Sequence, residues 1–400
     1  MTTCNIAILG LYNDANLGDA VVLDSTSYLI QQILKHGPFS TTIIDLKGRG
    51  GLKIANGPRQ RRVSLSRLKQ RLHKVMPLSV YHTYMRFRSQ GLEAVFEEAL
   101  SGIDVIVFGG GSLIKYKYQD IYWYVHKALE VANTMRIPVI FHGVGVEGYC
   151  AKDSRCQLLK TGINQPVVKS ITTRDDYDSL SAGYLCEAPW IHRAATSDSA
   201  IWAGDAYGVR ADKSSTAVGL GIIRNDIFAE YGYNISECEL IDIYRDLVNK
   251  LRRRGIHCVL FTNGSKKDCE SMHKVKAKVG DIDAIHPETP RQLVETIAGF
   301  NGVVSGRLHA NIVSYASSIP SVGLVWNNKL NLFGTSIGHP DRFVSPNLFH
   351  GGLLTDLLLN AMNEGINEHR KESLKNLSRS TLEEQLRLVG VDCTGFAGHV

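Results

Sequence analysis

A chain of 400 residues, 44% hydrophobic and 21% charged, has the composition of a globular protein with a sizeable core and two or three domains. Its formal net charge of +6 averages unlike parts: from Lys47 to Leu92 there are twelve Lys/Arg and no Asp/Glu, leaving 33 basic against 39 acidic residues elsewhere. Positive charge confined to one insertion excludes a nucleic-acid-binding composition, no apolar run reaches the length of a membrane span, and Met1-Thr-Thr-Cys-Asn lacks the charged start of a secretion signal.

Cys4 to Leu9 is an apolar run ending in Gly10, as expected of a buried parallel strand. A polar turn, Leu11 to Asp19, leads to a helix expected over about 20–36. Strand, turn and helix make the ligand-facing unit of an open α/β sheet, although the turn is not the GxGxxG of a dinucleotide site. Asp19 at the helix start is either an N-cap or, with Asn16, a contact to a substrate hydroxyl. Thr41 to Leu46 is a second strand, followed by the basic insertion 47–92. Within it Leu65, Leu68, Leu72 and Val75 recur at helical spacing among six Lys/Arg, and Pro77 ends the pattern. Two readings of this helix, 59–76, stay open: it docks on an anionic membrane surface or polyanion, or it packs its apolar stripe on the domain.

Val105 to Phe108 is a third strand, and Gly109-Gly110-Gly111-Ser112 after it lets the backbone approach a ligand closely. A helix from about 119 to 135 leads through Pro138 to the strand Val139–His142, which places His142 at the same edge as a candidate acceptor-side residue. Cys150 and Cys156 are the closest pair among eight scattered cysteines. With no CxxC and no His/Cys pattern nearby, a reduced, cytoplasmic chain without a metal centre is expected. Ser170 to Thr173 leads into Arg174-Asp175, another cation at a strand end. Arg174 either meets an anion or pairs with a neighbouring Asp at the surface.

Residues 206–215 read as a linker, after which strands and helices alternate again: a strand at 217–223, a helix at 239–254, a strand at 258–262, a helix at 266–279, a strand at 284–285 and a helix at 291–298. The stretch Gly302 to Ala310 is the centre of this half. Gly302–Ser305 is a short buried strand and Leu308–Ser317 a helix, so Arg307 and His309 stand where helix N–H groups favour an anion. Lys329 follows the next strand, 321–326. The fold expected is therefore α/β, with two Rossmann-like, doubly wound parallel-sheet domains, 1–205 and 216–350, facing across a cleft that holds the ligand. Helices over 351–400 complete the chain and are expected to reach back to the first domain.

Four features, Asn16-Leu-Gly18-Asp19, Gly109-Gly-Gly111-Ser112, Thr173-Arg174-Asp175 and Ser305-Gly-Arg307-Leu308-His309, resemble the polysaccharide pyruvyl transferase family, in family order over about residues 5–335. Ile319-Pro320 and Lys329 extend the last. Asp198-Ser199-Ala200 stands where Asp-Pro-Ala is usual, and Gly145-Val-Glu147-Gly148 replaces a Gly-x-Gly-Pro-like turn. The resemblance implies a GT-B-like fold, phosphoenolpyruvate as donor and co-substrate, no other cofactor and no metal. The acceptor it implies is a glycan, nucleotide-sugar or lipid-linked sugar that receives a pyruvate ketal as phosphate leaves.

The residues suit that donor, which carries a carboxylate and a phosphate. Arg174 and Arg307 offer planar forks, Lys329 a point charge, and Leu308 and His309 complete the donor side. Protonation of the donor methylene needs an acid, for which His309 is the candidate; Asp19 or His142 would accept the hydroxyl proton. Asn16, Gly18, Gly110, Gly111 and His142 are expected on the acceptor side or in its loops. A glycosyltransferase using a nucleotide sugar is the alternative enzyme, since the same glycine-rich turns suit a diphosphate. A non-enzymatic sugar-binding protein, docked on the inner face of the membrane through 59–76, is the third reading.

Overall fold

The computed structural model describes residues 3–49, 78–117 and 119–393. The expected helix 59–76, and most of the insertion around it, lies outside these residues. The chain divides into two compact units, one of residues 1–13, 30–196 and 379–400, the other of 14–29 and 197–378.

The first unit is built on six parallel strands: β1 (Cys4–Gly10), β2 (Phe39–Asp45), β3 (Val105–Gly109), β4 (Val139–Val144), β5 (Val168–Thr173) and β6 (His192–Ala195), in the order β2-β1-β3-β4-β5-β6. The central strands are apolar at nearly every position and buried on both faces, because helices cover both sides of a parallel sheet. Phe108 and Phe141 stack at 4.4 Å between neighbouring strands. The strand β6 and the helices Leu78–Arg88 and Leu92–Ala99 were not expected from sequence. His-Arg-Ala-Ala has no apolar run to mark β6, which lies at the sheet edge.

The second unit repeats the architecture with β7 (Val218–Gly221), β8 (Cys258–Phe261), β9 (Asp283–Ile285), β10 (Gly302–Ser305), β11 (Ser321–Leu324) and the two-residue β12 (Phe343–Val344). Its order, β12-β11-β10-β7-β8-β9, reverses between β7 and β10. Helix ends are locally specified. Ser236 and Glu239 form a capping box on the helix Glu237–Arg252, and Thr289 caps Pro290–Ala298, whose first residue needs no N–H. Both sheets are thus doubly wound α/β sheets, as expected.

Two boundaries differ from chain order. The division between units falls at Thr196/Ser197, and the expected linker 206–215 begins within the helix Ala203–Tyr207 of the second unit. Residues 14–29, first-half residues by sequence, pack with the second unit, where Leu17, Val21 and Val22 join its core. Among the described residues no helix is long and apolar enough to cross a membrane.

Candidate functional site

The carboxyl ends of β7 and β10 flank the point where the second sheet's strand order reverses, the place where open α/β sheets bind ligands. Here β10 stops at Ser305, whose Oγ accepts the Arg307 backbone N–H at 3.1 Å, and the helix Leu308–Ala316 starts with Arg307 as an N-cap in extended conformation. No side chain caps this helix. Its first N–H groups have no acceptor within the helix and turn the positive end of the dipole toward the sheet edge.

His309 is 5% exposed, and its ring lies between two carboxylates. Nδ1 is 3.7 Å from Asp19 Oδ1 and Nε2 is 3.8 Å from Asp198 Oδ2. Each carboxylate is fixed through its other oxygen. Asp19 Oδ2 accepts from Asn16 Nδ2 at 3.0 Å, and Asp198 Oδ1 caps the turn Ser199–Trp202 by accepting the Ala200 N–H at 2.8 Å. The ring separations exceed hydrogen-bond lengths, so the two acids act on the imidazole through their field. Gly18 makes this packing possible. A Cβ there would stand 2.4 Å from His309 Cβ and 2.5 Å from Nδ1. Asp19 is not the expected N-cap: the helix starts at Leu17, two residues before it, and its first turn carries Asp19 to His309, far along the chain.

Arg307 is turned to a partner the sequence did not reveal. Its Nε donates to Asp268 Oδ2 at 2.8 Å and its Nη2 to Asp268 Oδ1 at 2.6 Å, a bidentate pair with a wholly buried acid. Asp268 also accepts the Arg224 backbone N–H at 3.1 Å. The Arg224 side chain answers Asp226 and, at 3.2 Å, Glu230, while Lys267 reaches Asp226 at 2.9 Å. Burial works against the Arg224 charge, but Glu230 and Asp226 outweigh it and its pKa is raised. The pair with Asp268 uses one edge of the Arg307 guanidinium and locks its plane, so the Nη1 edge has a set direction.

The other expected donor-side residues differ in placement. Lys329 holds its ammonium 4.7 Å from the centre of the Trp326 ring, and Trp326 Nε1 donates to the Gly306 carbonyl at 2.6 Å, which ties this cation to the same turn as Arg307. Leu308, expected to touch the donor, is buried in the apolar core; its side chain fixes the helix start. Around His309 several polar atoms are buried with no hydrogen-bond partner among the described residues: Asn16 Oδ1, Ser199 Oγ and both amide atoms of Asn263. Asn263 is 1% exposed, and its carbonyl holds the Leu17 N–H at 2.9 Å, which anchors the helix that carries Gly18 and Asp19.

In the first unit, Gly110 and Gly111 adopt φ of 79° and 67°, as the expected turn after β3 requires. The Gly111 carbonyl accepts the Gly145 N–H at 2.9 Å, and a Gly145 Cβ would lie 2.7 Å from Ser112 Oγ. Glu147 forms a largely buried ion pair with Lys115 at 3.0 Å. The pair of Arg174 with Asp175, Nε to Oδ2 3.9 Å, is not the surface contact allowed for: the side chains are 5% and 4% exposed. Asp175 in turn accepts from the Val146 N–H at 2.7 Å and from Thr173 Oγ1.

His142 does not fit the expectation of a base at the sheet edge. It is wholly buried, and its Nδ1 donates to Gln385 Oε1 at 2.8 Å. The Gln385 amide NH₂ is committed to the Phe141 carbonyl and Ser170 Oγ, which fixes the oxygen toward the ring. Desolvation pushes the His142 pKa down to about 4, against a smaller upward effect of Gln385. It is a neutral histidine held in a buried network.

A family model described as polysaccharide pyruvyl transferase matches residues 16–328. No curated protein matches the sequence. Among solved structures, UDP-GlcNAc 2-epimerase from Neisseria meningitidis, bound to UDP-GlcNAc, is similar over 96% of this chain and 100% of its own, with TM-score 0.56 and 10% identity. A putative UDP-N-acetylglucosamine 2-epimerase from Listeria monocytogenes is similar over 98% of each chain, with TM-score 0.57 and 9% identity. The enzyme from Methanocaldococcus jannaschii in complex with UDP-GlcNAc and UDP covers 96% of this chain and 100% of its own, with TM-score 0.54 and 9% identity. At such identities the likeness shows the fold alone, the GT-B type.

Proposed function

The chain belongs to the polysaccharide pyruvyl transferase family, and on that premise we propose that it moves pyruvate from phosphoenolpyruvate to a sugar of a glycan or glycan precursor. The product is a ketal bridging two hydroxyls, with phosphate released. The observation that carries this reading is the His309 imidazole set between Asp19 and Asp198, next to an Arg307 whose plane is locked by Asp268. A proton donor beside an oriented guanidinium and an uncapped helix start suits a small dianionic enol ester.

In the proposed sequence, His309 as imidazolium gives its proton to the donor methylene carbon, and positive charge develops at C2. One sugar hydroxyl attacks C2 and loses its proton to Asp19. Phosphate then departs, taking up the proton held by Asp19, and the neighbouring hydroxyl closes the ketal at C2 as it gives its proton to the neutral His309 imidazole. Arg307 and the N–H groups of the helix start balance the donor's negative charge, with Lys329 adding to it. His309 thereby ends as imidazolium and Asp19 as carboxylate, ready for the next turnover. Arg174, in the other unit, is a candidate anion ligand in its own right.

The test is phosphate release from phosphoenolpyruvate with a panel of galactose, mannose and glucuronic acid acceptors, products being weighed by mass spectrometry. A gain of the pyruvate ketal mass is expected with at least one acceptor, and His309→Ala is expected to abolish phosphate release. Thermal stabilisation by uridine nucleotides but not by phosphoenolpyruvate would instead favour a nucleotide-sugar glycosyltransferase.

A further inference from the structure

The second unit buries polar groups near His309 that the proposed chemistry does not use. Asn263 stands two residues beyond the carboxyl end of β8, the strand beside β7, and is 1% exposed. Both of its amide atoms lack a hydrogen-bond partner among the described residues, as do Asn16 Oδ1 and the Oγ of Ser199, which is wholly buried. Each residue is tied to the surroundings of the ring. Ser199 follows Asp198, Asn16 donates to Asp19, and the Asn263 carbonyl accepts the Leu17 N–H at the start of the helix that bears Asp19. The loop itself is held by other means. Thr262 Oγ1 meets His286 Nδ1 at 2.7 Å, and Gly264, at φ 85°, lets the chain close on the helix start, where a Cβ would lie 2.5 Å from Leu17 Cγ. The Asn263 side chain thus bears the desolvation cost of two polar atoms and secures nothing in the fold.

The donor's carboxylate and phosphate call for cations, which Arg307 and Lys329 supply. Asn263 and Ser199 are uncharged, and an amide and a hydroxyl each both donate and accept. Two neighbouring hydroxyls of a sugar do the same. We infer, on the premise of pyruvyl transfer, that Asn263, with Ser199 and Asn16, holds the pair of acceptor hydroxyls that the ketal bridges. The amide oxygen accepts from one hydroxyl and the NH₂ donates to its neighbour, which fixes the pair beside Asp19 and His309, the groups that take their protons. Ser199 and Asn16 Oδ1 satisfy the hydrogen-bonding positions that the amide leaves over.

The test compares the full-length protein with Asn263→Leu and Ser199→Ala. Binding of galactose, mannose and glucuronic acid is read by saturation-transfer NMR, and the unfolding midpoint is read with and without phosphoenolpyruvate. The wild type is expected to bind at least one of the three sugars. Asn263→Leu should weaken that binding about tenfold or more, because the hydroxyls lose both amide partners, and Ser199→Ala should weaken it less. Removing a buried polar group that has no partner does not destabilise, so both variants should unfold at or above the wild-type midpoint and keep the shift given by phosphoenolpyruvate. A structural role for the amide would lower the midpoint and the shift together. Absence of sugar binding to the wild type, sugar binding that Asn263→Leu leaves intact, or a lowered midpoint in that variant overturns the inference. Sugar binding that depends on Asn263 while phosphoenolpyruvate stabilises neither protein removes the donor reading and retains the sugar site.

Discussion

Gly18→Ala is the smallest change that reaches the proposed chemistry. The added methyl would sit 2.4 Å from His309 Cβ, 2.5 Å from Nδ1 and 2.7 Å from Cγ. Carbon atoms pack at about 3.5–4.0 Å, so the ring or the helix start must move by about 1 Å. His309 has little room to do so between Asp19 and Asp198. Overpacking of this kind costs about 1–3 kcal/mol, and alanine in place of glycine inside the helix Leu17–Leu34 returns about 1 kcal/mol. The net destabilisation is then about 0–2 kcal/mol, and the variant should fold. Misplacement of a proton donor by about 1 Å lowers turnover by about a hundredfold. Phosphate release with the acceptor found in the panel, paired with a urea unfolding curve, separates the two effects. Near-wild-type turnover in a folded Gly18→Ala protein would show that the position of the His309 ring does not govern the reaction.

Asp268→Asn should act through Arg307. It turns an amide N–H toward a guanidinium N–H and leaves a buried cation without its counter-charge, which costs about 3–5 kcal/mol; a lowered unfolding midpoint together with lost stabilisation by phosphoenolpyruvate is expected. Arg307→Lys should fail the same ligand test, because an ammonium cannot reproduce the two-pronged pairing with Asp268. His142 gives a pH signature. Its folded pKa of about 4 lies below the ordinary 6.5, so the unfolded chain takes up the proton first and stability falls as pH drops between these values. The loss from pH 7 to pH 5 should be about 2 kcal/mol by urea unfolding, and His142→Asn should remove that part of the slope.

The architecture was legible wherever burial on both faces forces an unbroken apolar run, as in β1, β3, β4 and β10. The edge strand β6 and the two-residue β12 were not, because short or half-wet strands carry no such run. At the site, Arg307 and His309 could be found from a strand–helix junction read locally. Their partners could not. Asp268 lies 39 positions away in a Lys-rich helix start that looks like any solvated end, and nothing local marks it as buried. The sequence does contain Asp198, but its approach to the ring depends on how a short turn folds. His142 misled for the converse reason: a strand end points to a ligand edge only if no later segment covers it, and Gln385 comes 243 residues on. Asn16, Gly18 and Asp19 pack with the second unit because tertiary contacts, not chain order, decide membership.

The Gln385 network also constrains how the protein can be made. Until that residue leaves the ribosome, the ring of His142, the Phe141 carbonyl and the Ser170 hydroxyl lack the amide that satisfies them. The second unit has the opposite schedule: residues 14–29 emerge early and wait for 197–378 to be synthesised. Neither half is then complete when its own strands are finished, and a nascent chain stalled before residue 379 should be held by chaperones and open to proteolysis.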